Sequence, residues 1–210
     1  MPRDLASLAD SIDEPALPNM VQQFLAEQLG EGHDPTSNLP IIHSRISVFR
    51  SAVAMFYAPS DPSGIRGMKR ERIRCTPSWR GQGPLRDCAL VVEDQEKPGM
   101  RGLRVVRVKL FFSFDHRGIT YPCALVEWFK TLGRAPDPDT GMWMVRPEFS
   151  SRSRDTSILH LDTFLRGAHL LPCFSEAFLP RDFNYTYSLD AFQSYFVNQY
   201  IDHHSHKIIF

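Results

Sequence analysis

The sequence lacks most features that assign a protein to a functional class at once. It carries 24 basic and 24 acidic residues, so its totals do not indicate a strongly basic nucleic-acid binder. Its four cysteines (Cys75, Cys88, Cys123 and Cys173) form no CxxC pair, so zinc-finger spacing is absent. No apolar run reaches the length of a membrane span. Met1 is followed by Pro-Arg-Asp and not by an apolar run, so we expect no secretory signal. We therefore expect a soluble, intracellular protein with reduced thiols.

Catalytic and cofactor motifs are also missing. The sequence contains no G-x-S-x-G and no P-loop. Its carboxylates fall mostly in predicted turns and helix starts, where acidic residues have ordinary structural roles. A two-metal polynucleotidyl transferase would need several convergent carboxylates, and no such set is evident. We expect no cofactor and no bound metal.

The charge is unevenly distributed along the chain. Residues 1–31 hold one basic and six acidic residues, a net charge of −5. Residues 66–109 hold twelve basic and five acidic residues, a net charge of +7. A basic centre of this kind indicates contact with phosphate or, equally, a solvated charged surface.

Short apolar segments with strand periodicity fill the centre of the chain. Residues 103–114 alternate well, and a polar turn at 115–118 leads into a second apolar segment at 119–129, a pattern typical of a hairpin. Pro122 predicts that this second strand begins at an edge or a bulge. Further strands are predicted at 46–57, 88–92, 142–145 and 157–160, whereas 64–74 reads as a connection. This spacing predicts a small barrel or sandwich.

Helical spacing occurs in three places. Residues 20–29 predict a helix with Asn19 as its N-cap and Gly30 as its stop, followed by a polar linker at 32–40. Residues 162–171 and 188–203 predict two C-terminal helices. The expected fold is α+β, with an N-terminal helix and two C-terminal helices packed on a β-barrel or sandwich. We expect residues 1–40 to be peripheral and 41–210 to form a single β-rich domain.

The segment MKRERIRCTPSWRGQ interleaves basic residues with a tryptophan, which suits contact with a nucleic-acid backbone. The alternative is an exposed loop with the tryptophan folded inward. The candidate nucleic-acid-binding residues are Lys69, Arg70, Arg72, Arg74, Trp79 and Arg80.

Histidines offer two further candidate sites. Asp202, His203 and His206 in the tail could hold a metal, although histidines near a helix C-terminus are also favoured by the helix dipole. His160 and His169, with Asp162, could act in general base catalysis, or could form local hydrogen bonds.

The order of five segments is more informative than any one of them. They are ISVFRSAVAMFYAPSDPSGIRGMKRERIRCTPSWRG, VKLFFSF with GITYPCALVEWF, PDPDTGMWMVRP, ILHLDTFLRGAHLLP and SLDAFQSYFVNQYIDHHSHKI. This series resembles the C-terminal region of Plavaka-type transposases, the fungal CACTA-like (KDZ-type) transposon proteins. The resemblance covers nearly the whole chain and is clearest over residues 46–206.

The resemblance implies a fragment. The family carries an RNase H-like catalytic domain upstream, which looks absent here, so no catalytic residue is carried over and no enzymatic activity is expected. The implied function is a non-catalytic accessory domain of a transposon-derived protein that contacts DNA through a basic loop. The implied partners are DNA, an upstream transposase domain or another protein, and the implied location is intracellular, with the nucleus as one site.

Two alternatives remain open. The barrel could recognise a protein or peptide with an aromatic pocket of Tyr121, Trp128 and Trp143, similar in spirit to bromo-adjacent homology domains. The chain could also be an inert transposon remnant without a cellular role.

Overall fold

The structure is a computed structural model that describes residues 4–30, 39–42, 44–60, 64–81, 83–174, 179 and 181–210. The linker predicted at 32–40 lies mostly outside the described residues. The helices are α1 Leu5–Ile12, α2 Leu17–Gln28, α3 Ser188–Ala191 and α4 His203–Ile209. The strands are β1 Ser47–Phe49, β2 Ser51–Tyr57, β3 Met68–Thr76, β4 Leu85–Arg86, β5 Cys88–Val92, β6 Leu103–His116, β7 Ile119–Leu132, β8 Trp143–Pro147, β9 Phe149–Ser150, β10 Ser153–Arg154, β11 Thr156–His160, β12 Phe164–Ala168, β13 Leu170–Pro172 and β14 Tyr195–Val197.

The long strands β6 and β7 form the central hairpin of the sheet, and the sequence pattern predicted this hairpin. Along its outer sides, β5 and β1 pair with successive parts of β6, and β8 and β11 pair with successive parts of β7. Pro122 pairs with Ser113 on β6, one residue beyond the end of the β11 pairing at Cys123. Its missing N–H therefore falls where β7 has a single neighbour, which confirms the expected edge position.

The sheet curls into a nearly closed antiparallel barrel. Its strand order is β12-β5-β6-β7-β8-β14-β13, so consecutive strands β12 and β13 lie at opposite ends of the path. His169 alone separates them along the chain, which brings the two ends of the sheet together. The predicted fold class, an α+β protein with a small β-barrel, is confirmed.

The N-terminal helix pair packs against strands β6, β7 and β11 of the sheet. Leu17, Val21 and Leu25 on α2 are buried in a cluster that also contains Phe112 of β6 and Leu125 of β7. The helix pair therefore shares a core with the sheet, whereas a boundary at residue 40 stays a prediction.

Helix α2 begins earlier than predicted. It starts at Leu17, with Ala16 at the N-cap position and Pro18 in the first turn, so Asn19 lies inside the helix and is not its cap. Proline suits the first turn because the N–H that it lacks has no partner there. Gly30, with φ of 68°, follows the helix end as predicted.

The predicted helix over 162–171 is wrong, and the one over 188–203 is correct only for its first four residues and its last. Residues 162–171 instead form a short 3-10 turn, Leu161–Thr163, followed by β12 and β13. Residues 188–203 form the short helix α3 and strand β14, and α4 begins only at His203. Short apolar runs fit both the helical and the strand period. Here β12 is a strand because it pairs with β5, and β14 is a strand because it pairs with β8. In the described part of the chain, every helix is too short or too polar to cross a membrane.

Candidate nucleic-acid interface

The predicted basic segment is a strand rather than a loop. Arg70, Arg72 and Arg74 lie on β3, which pairs with β2 in register from Ser51 with Arg74 to Tyr57 with Met68. The two strands form an antiparallel ribbon, extended at one end by β4. The prediction of a connection over residues 64–74 is therefore wrong for its second half.

Strand periodicity sorts the side chains of this ribbon onto two faces. Arg70, Arg72 and Arg74 alternate with inward-facing residues and so share the outward face. Their direct cross-strand partners on β2 are Met55, Val53 and Ser51, respectively. Arg70 and Arg72 are exposed, and among the described residues neither has a carboxylate within ion-pair distance. We call this surface the outward face of the ribbon.

Trp79 continues this basic surface beyond the end of β3. The guanidinium of Arg74 lies 5.3 Å from the centre of its ring, and that of Arg80 lies 5.6 Å away. Arg80 adopts a left-handed conformation with φ of 52° in the turn that holds it there. The half-buried ring of Trp79 thus has two guanidinium groups within cation–π distance. Five of the six predicted residues thus form one surface.

Lys69 does not belong to this surface. It points to the opposite side of β3, where its Nζ lies 3.7 Å from a carboxylate oxygen of Asp202. The prediction that Lys69 belongs to the interface is therefore wrong, because successive residues of a strand point to opposite faces.

The inward face of the ribbon is fixed by Arg166, which sequence reasoning missed. Arg166 on β12 is 1% exposed and bonds Asp202 at 2.7 and 2.8 Å. Glu71 of β3 accepts from Arg166 at 3.3 Å and from the backbone N–H of Gly167 at 2.9 Å. Phe56 of β2 lies with its ring centre 4.7 Å from the same guanidinium. These contacts connect the ribbon to strand β12 of the barrel.

In the cluster around Arg166, the surroundings favour the charged forms of Arg166 and Asp202 and the neutral form of His204. The hydrogen bond from Arg166, with the N–H of Ser205 and nearby positive charge, holds the pKa of Asp202 well below its usual value. Burial opposes the charge on Arg166, but Asp202 and Glu71 outweigh it and raise the pKa of the guanidinium. Burial, reinforced by the charge of Arg166, lowers the pKa of His204, whose ring stacks on Phe56 at 4.3 Å.

The aromatic pocket considered for peptide recognition does not form. Tyr121 and Trp143 are buried in two separate core clusters. Trp128 packs against a third cluster, donates its indole N–H to Ser157 at 2.8 Å and lies under Arg104. Because the three rings lie in different clusters, they cannot frame one pocket.

The histidine candidates are engaged in local contacts. His160 bonds Asp162 within its own turn, whereas His169 contacts Asn198 at 3.0 Å. Across the described part of the chain, no contact links His160 to His169, and so the proposed catalytic set is not assembled.

The tail histidines do not form the proposed metal site either. Asp202 binds Arg166 and caps α4 through Ser205, while the ring of His206 lies against Tyr200. In the described ranges, no group of three or more His, Cys, Asp or Glu side chains is placed to bind a metal ion.

Comparison of the chain with protein-family models, with curated proteins and with solved structures found no match.

Proposed function

We propose that this chain is a non-catalytic accessory domain of a transposon-derived protein that binds DNA through the outward face of the β2–β3 ribbon. The observation that carries the proposal is the alignment of Arg70, Arg72 and Arg74 on one exposed strand face. The sequence resemblance to Plavaka-type transposases supports the transposon origin. An intracellular, nuclear location belongs to the same proposal.

The geometry of a two-stranded ribbon suits a DNA duplex. The major groove is about 12 Å wide and admits such a ribbon. Alternate residues of a strand are about 6.8 Å apart, so Arg70, Arg72 and Arg74 present a row of regularly spaced positive charges to the DNA backbone. Trp79 at the end of the row adds an aromatic ring for contact with an unpaired base.

The test is fluorescence-anisotropy titration of labelled single- and double-stranded DNA at about 50 and about 200 mM salt. The variant replaces Arg70, Arg72 and Arg74 by alanine. A matched control replaces Arg117, Arg152 and Arg181, three exposed arginines outside the ribbon, and removes the same charge. We expect the ribbon variant to bind DNA more weakly than the control variant, with the slope of log K against log salt reduced in magnitude by about 2 to 3.

An equal loss in the control variant would show that binding follows net charge and not the ribbon. Binding that does not change with salt, or no binding at about 50 mM salt, would reject the DNA proposal.

A second candidate, a protein-interaction module, is favoured by the apolar half of the same ribbon. Met55, Tyr57 and Ile65 are 61%, 63% and 84% exposed. β2 is also an edge strand in the sheet order β2-β3-β4, and an edge strand can accept an added strand from a partner. The upstream transposase domain is a fitting partner on this reading. Tyr57 and Ile65 lie opposite Met68 and not opposite an arginine, so replacing both by serine should weaken such binding while leaving salt-sensitive DNA binding in place.

A further inference from the structure

A second basic site lies in a cleft away from the ribbon. It has a volume of about 800 Å³ and lies between β7–β10 and the α3 region. Its lining includes three cations, Lys130, Arg146 and Arg154, and the aromatic ring of Phe149. Pockets of about 300–1,000 Å³ are typical of small-molecule sites.

Two of these cations face each other at the mouth of the cleft. Lys130 of β7 and Arg146 of β8 are direct cross-strand partners. Both are exposed, and within the described ranges neither has a carboxylate within 4 Å. Like charges directly opposite on neighbouring strands repel each other. A bound anion would relieve this repulsion.

Arg154 supplies the third cation, from a largely buried position. Its side chain is 16% exposed, and its guanidinium lies between the rings of Phe129 and Phe149, at 5.0 and 5.6 Å. The nearest carboxylate oxygen, on Glu127, is 3.6 Å from Nη2, which is an ion pair without a hydrogen bond. Nε and Nη2 have no acceptor among the described residues. Both nitrogens are closed to solvent, so Arg154 contributes its positive charge to the cleft, and the hydrogen bonds to a bound anion come from the exposed Lys130 and Arg146.

The carboxylates near the cleft are already engaged. Asp190 accepts two hydrogen bonds from Arg107, and Glu148 binds Arg104. Glu127 is shared by Arg107, Lys109 and Arg154. Of the three cations of the cleft, Arg154 has a carboxylate within 4 Å, whereas Lys130 and Arg146 have none among the described residues.

An aromatic surface adjoins these cations. Phe149 is 60% exposed and stands at the rim, where its ring could stack on a planar group. We propose that this cleft binds a mononucleotide, with the phosphate held by Lys130 and Arg146 near the positive charge of Arg154, and the base against Phe149. The site is independent of the DNA-binding ribbon.

The test is calorimetric titration of the purified chain with AMP, adenosine, inorganic phosphate and benzoate. We expect AMP to bind, adenosine to bind at least about tenfold more weakly, and benzoate to bind more weakly than AMP. The exposed positions allow two informative variants. Phe149→Ala should weaken the affinity for AMP about tenfold and leave the affinity for inorganic phosphate unchanged. Combined replacement of Lys130 and Arg146 by alanine should weaken both affinities by at least about tenfold.

The matched control is a double replacement of Arg70 and Arg72 by alanine, which removes the same charge from the ribbon and should leave AMP binding unchanged. It also separates this site from the DNA interface. Failure of AMP to bind at millimolar concentration, or equal binding of adenosine and AMP, would overturn the proposal. So would equal binding of benzoate and AMP, an unchanged affinity in both cleft variants, or an equal loss in the ribbon control.

Discussion

Arg166 and Asp202 meet in a two-point hydrogen bond, with Nη1 to Oδ1 at 2.8 Å and Nη2 to Oδ2 at 2.7 Å. The pair joins strand β12 of the barrel to the first turn of α4, since Asp202 also accepts from the N–H of Ser205 at 2.7 Å. One carboxylate thus pairs a buried charge and caps a helix.

Removal of this carboxylate should be strongly destabilising. Asp202→Ala leaves the Arg166 charge with Glu71 alone and removes the N-cap of α4. Breaking one side of a buried pair costs about 3–5 kcal/mol. We expect the free energy of unfolding in urea to fall by about 3 kcal/mol, the low end of this range, because the side chain of Asp202 is 23% exposed. Asp139→Ala, at an exposed turn position, should change stability by less than about 0.5 kcal/mol. Equal stability of the two variants would contradict the assigned role of the pair.

His204 should make stability depend on mildly acidic pH. Its pKa is lower in the folded protein than in the unfolded chain, so the unfolded chain binds more protons. The contribution is therefore fully present above the unfolded pKa of about 6.5 and is lost as pH falls below it.

The variant His204→Phe keeps a ring against Phe56 and removes the titrating group. It should flatten the dependence of the unfolding free energy on pH between about pH 7 and pH 5. His203→Gln, at the exposed neighbouring position, should retain the wild-type slope. A slope that persists unchanged in His204→Phe would assign the dependence to other groups.

The N-terminal helices should contribute to global stability. Leu17 and Leu25 are fully buried in the cluster shared with β6 and β7, and Glu14 accepts from Lys109 of β6 at 2.9 Å. Leu25→Ala should cost about 2–5 kcal/mol in denaturant unfolding, because the cavity lies inside a shared core. The exposed Gln23→Ala on the same helix should be nearly neutral. A negligible effect of Leu25→Ala would support instead a peripheral segment independent of the barrel.

Long periodic segments were predictable from the sequence, and short ones were not. The strand over residues 103–114 is long and rich in Val and Phe, and the structure extends it only to His116, although an irregularity between Val108 and Leu110 changes which residues share a face. Strand β12 has five residues, and its Phe164, Leu165 and Ala168 fit a helix equally well. The strand is specified by its pairing with β5. The burial of Arg166 is made possible by Asp202, an acidic partner 36 positions away in the chain. Such long-range partners leave no local pattern.

The candidate interface was partly predictable for the same reason. The charge of the segment is visible in its composition, but only the strand assignment places Arg70 and Arg72 on one face and Lys69 on the other. The cleft gave no sequence signal, because Lys130, Arg146 and Arg154 lie on three different strands.

The thiols should differ sharply in reactivity. Burial raises the pKa of Cys75, Cys88 and Cys123 to about 12, whereas Cys173 is partly exposed. Because the thiolate is the nucleophile, the native protein should react with a disulfide reagent at one thiol near pH 8, and the unfolded protein at all four. Cys173→Ser should abolish the native reaction. Rapid modification of more than one thiol in the native state would contradict the burial of the other three.

Glu127 should be the carboxylate whose neutralisation the barrel tolerates least. Its side chain is 9% exposed and lies 3.6–3.8 Å from cationic atoms of Arg107, Lys109 and Arg154. Glu127→Gln keeps the shape but leaves three clustered cations with less opposing charge, and uncompensated buried charge costs about 3–5 kcal/mol. Glu96→Gln, an exposed substitution of the same kind, is the control and should be nearly neutral. Because Glu127 pairs with Arg154, which lines the cleft, Glu127→Gln should bind phosphate more tightly than wild type if it remains folded. A stable variant with unchanged phosphate affinity would show that Glu127 does not offset these cations.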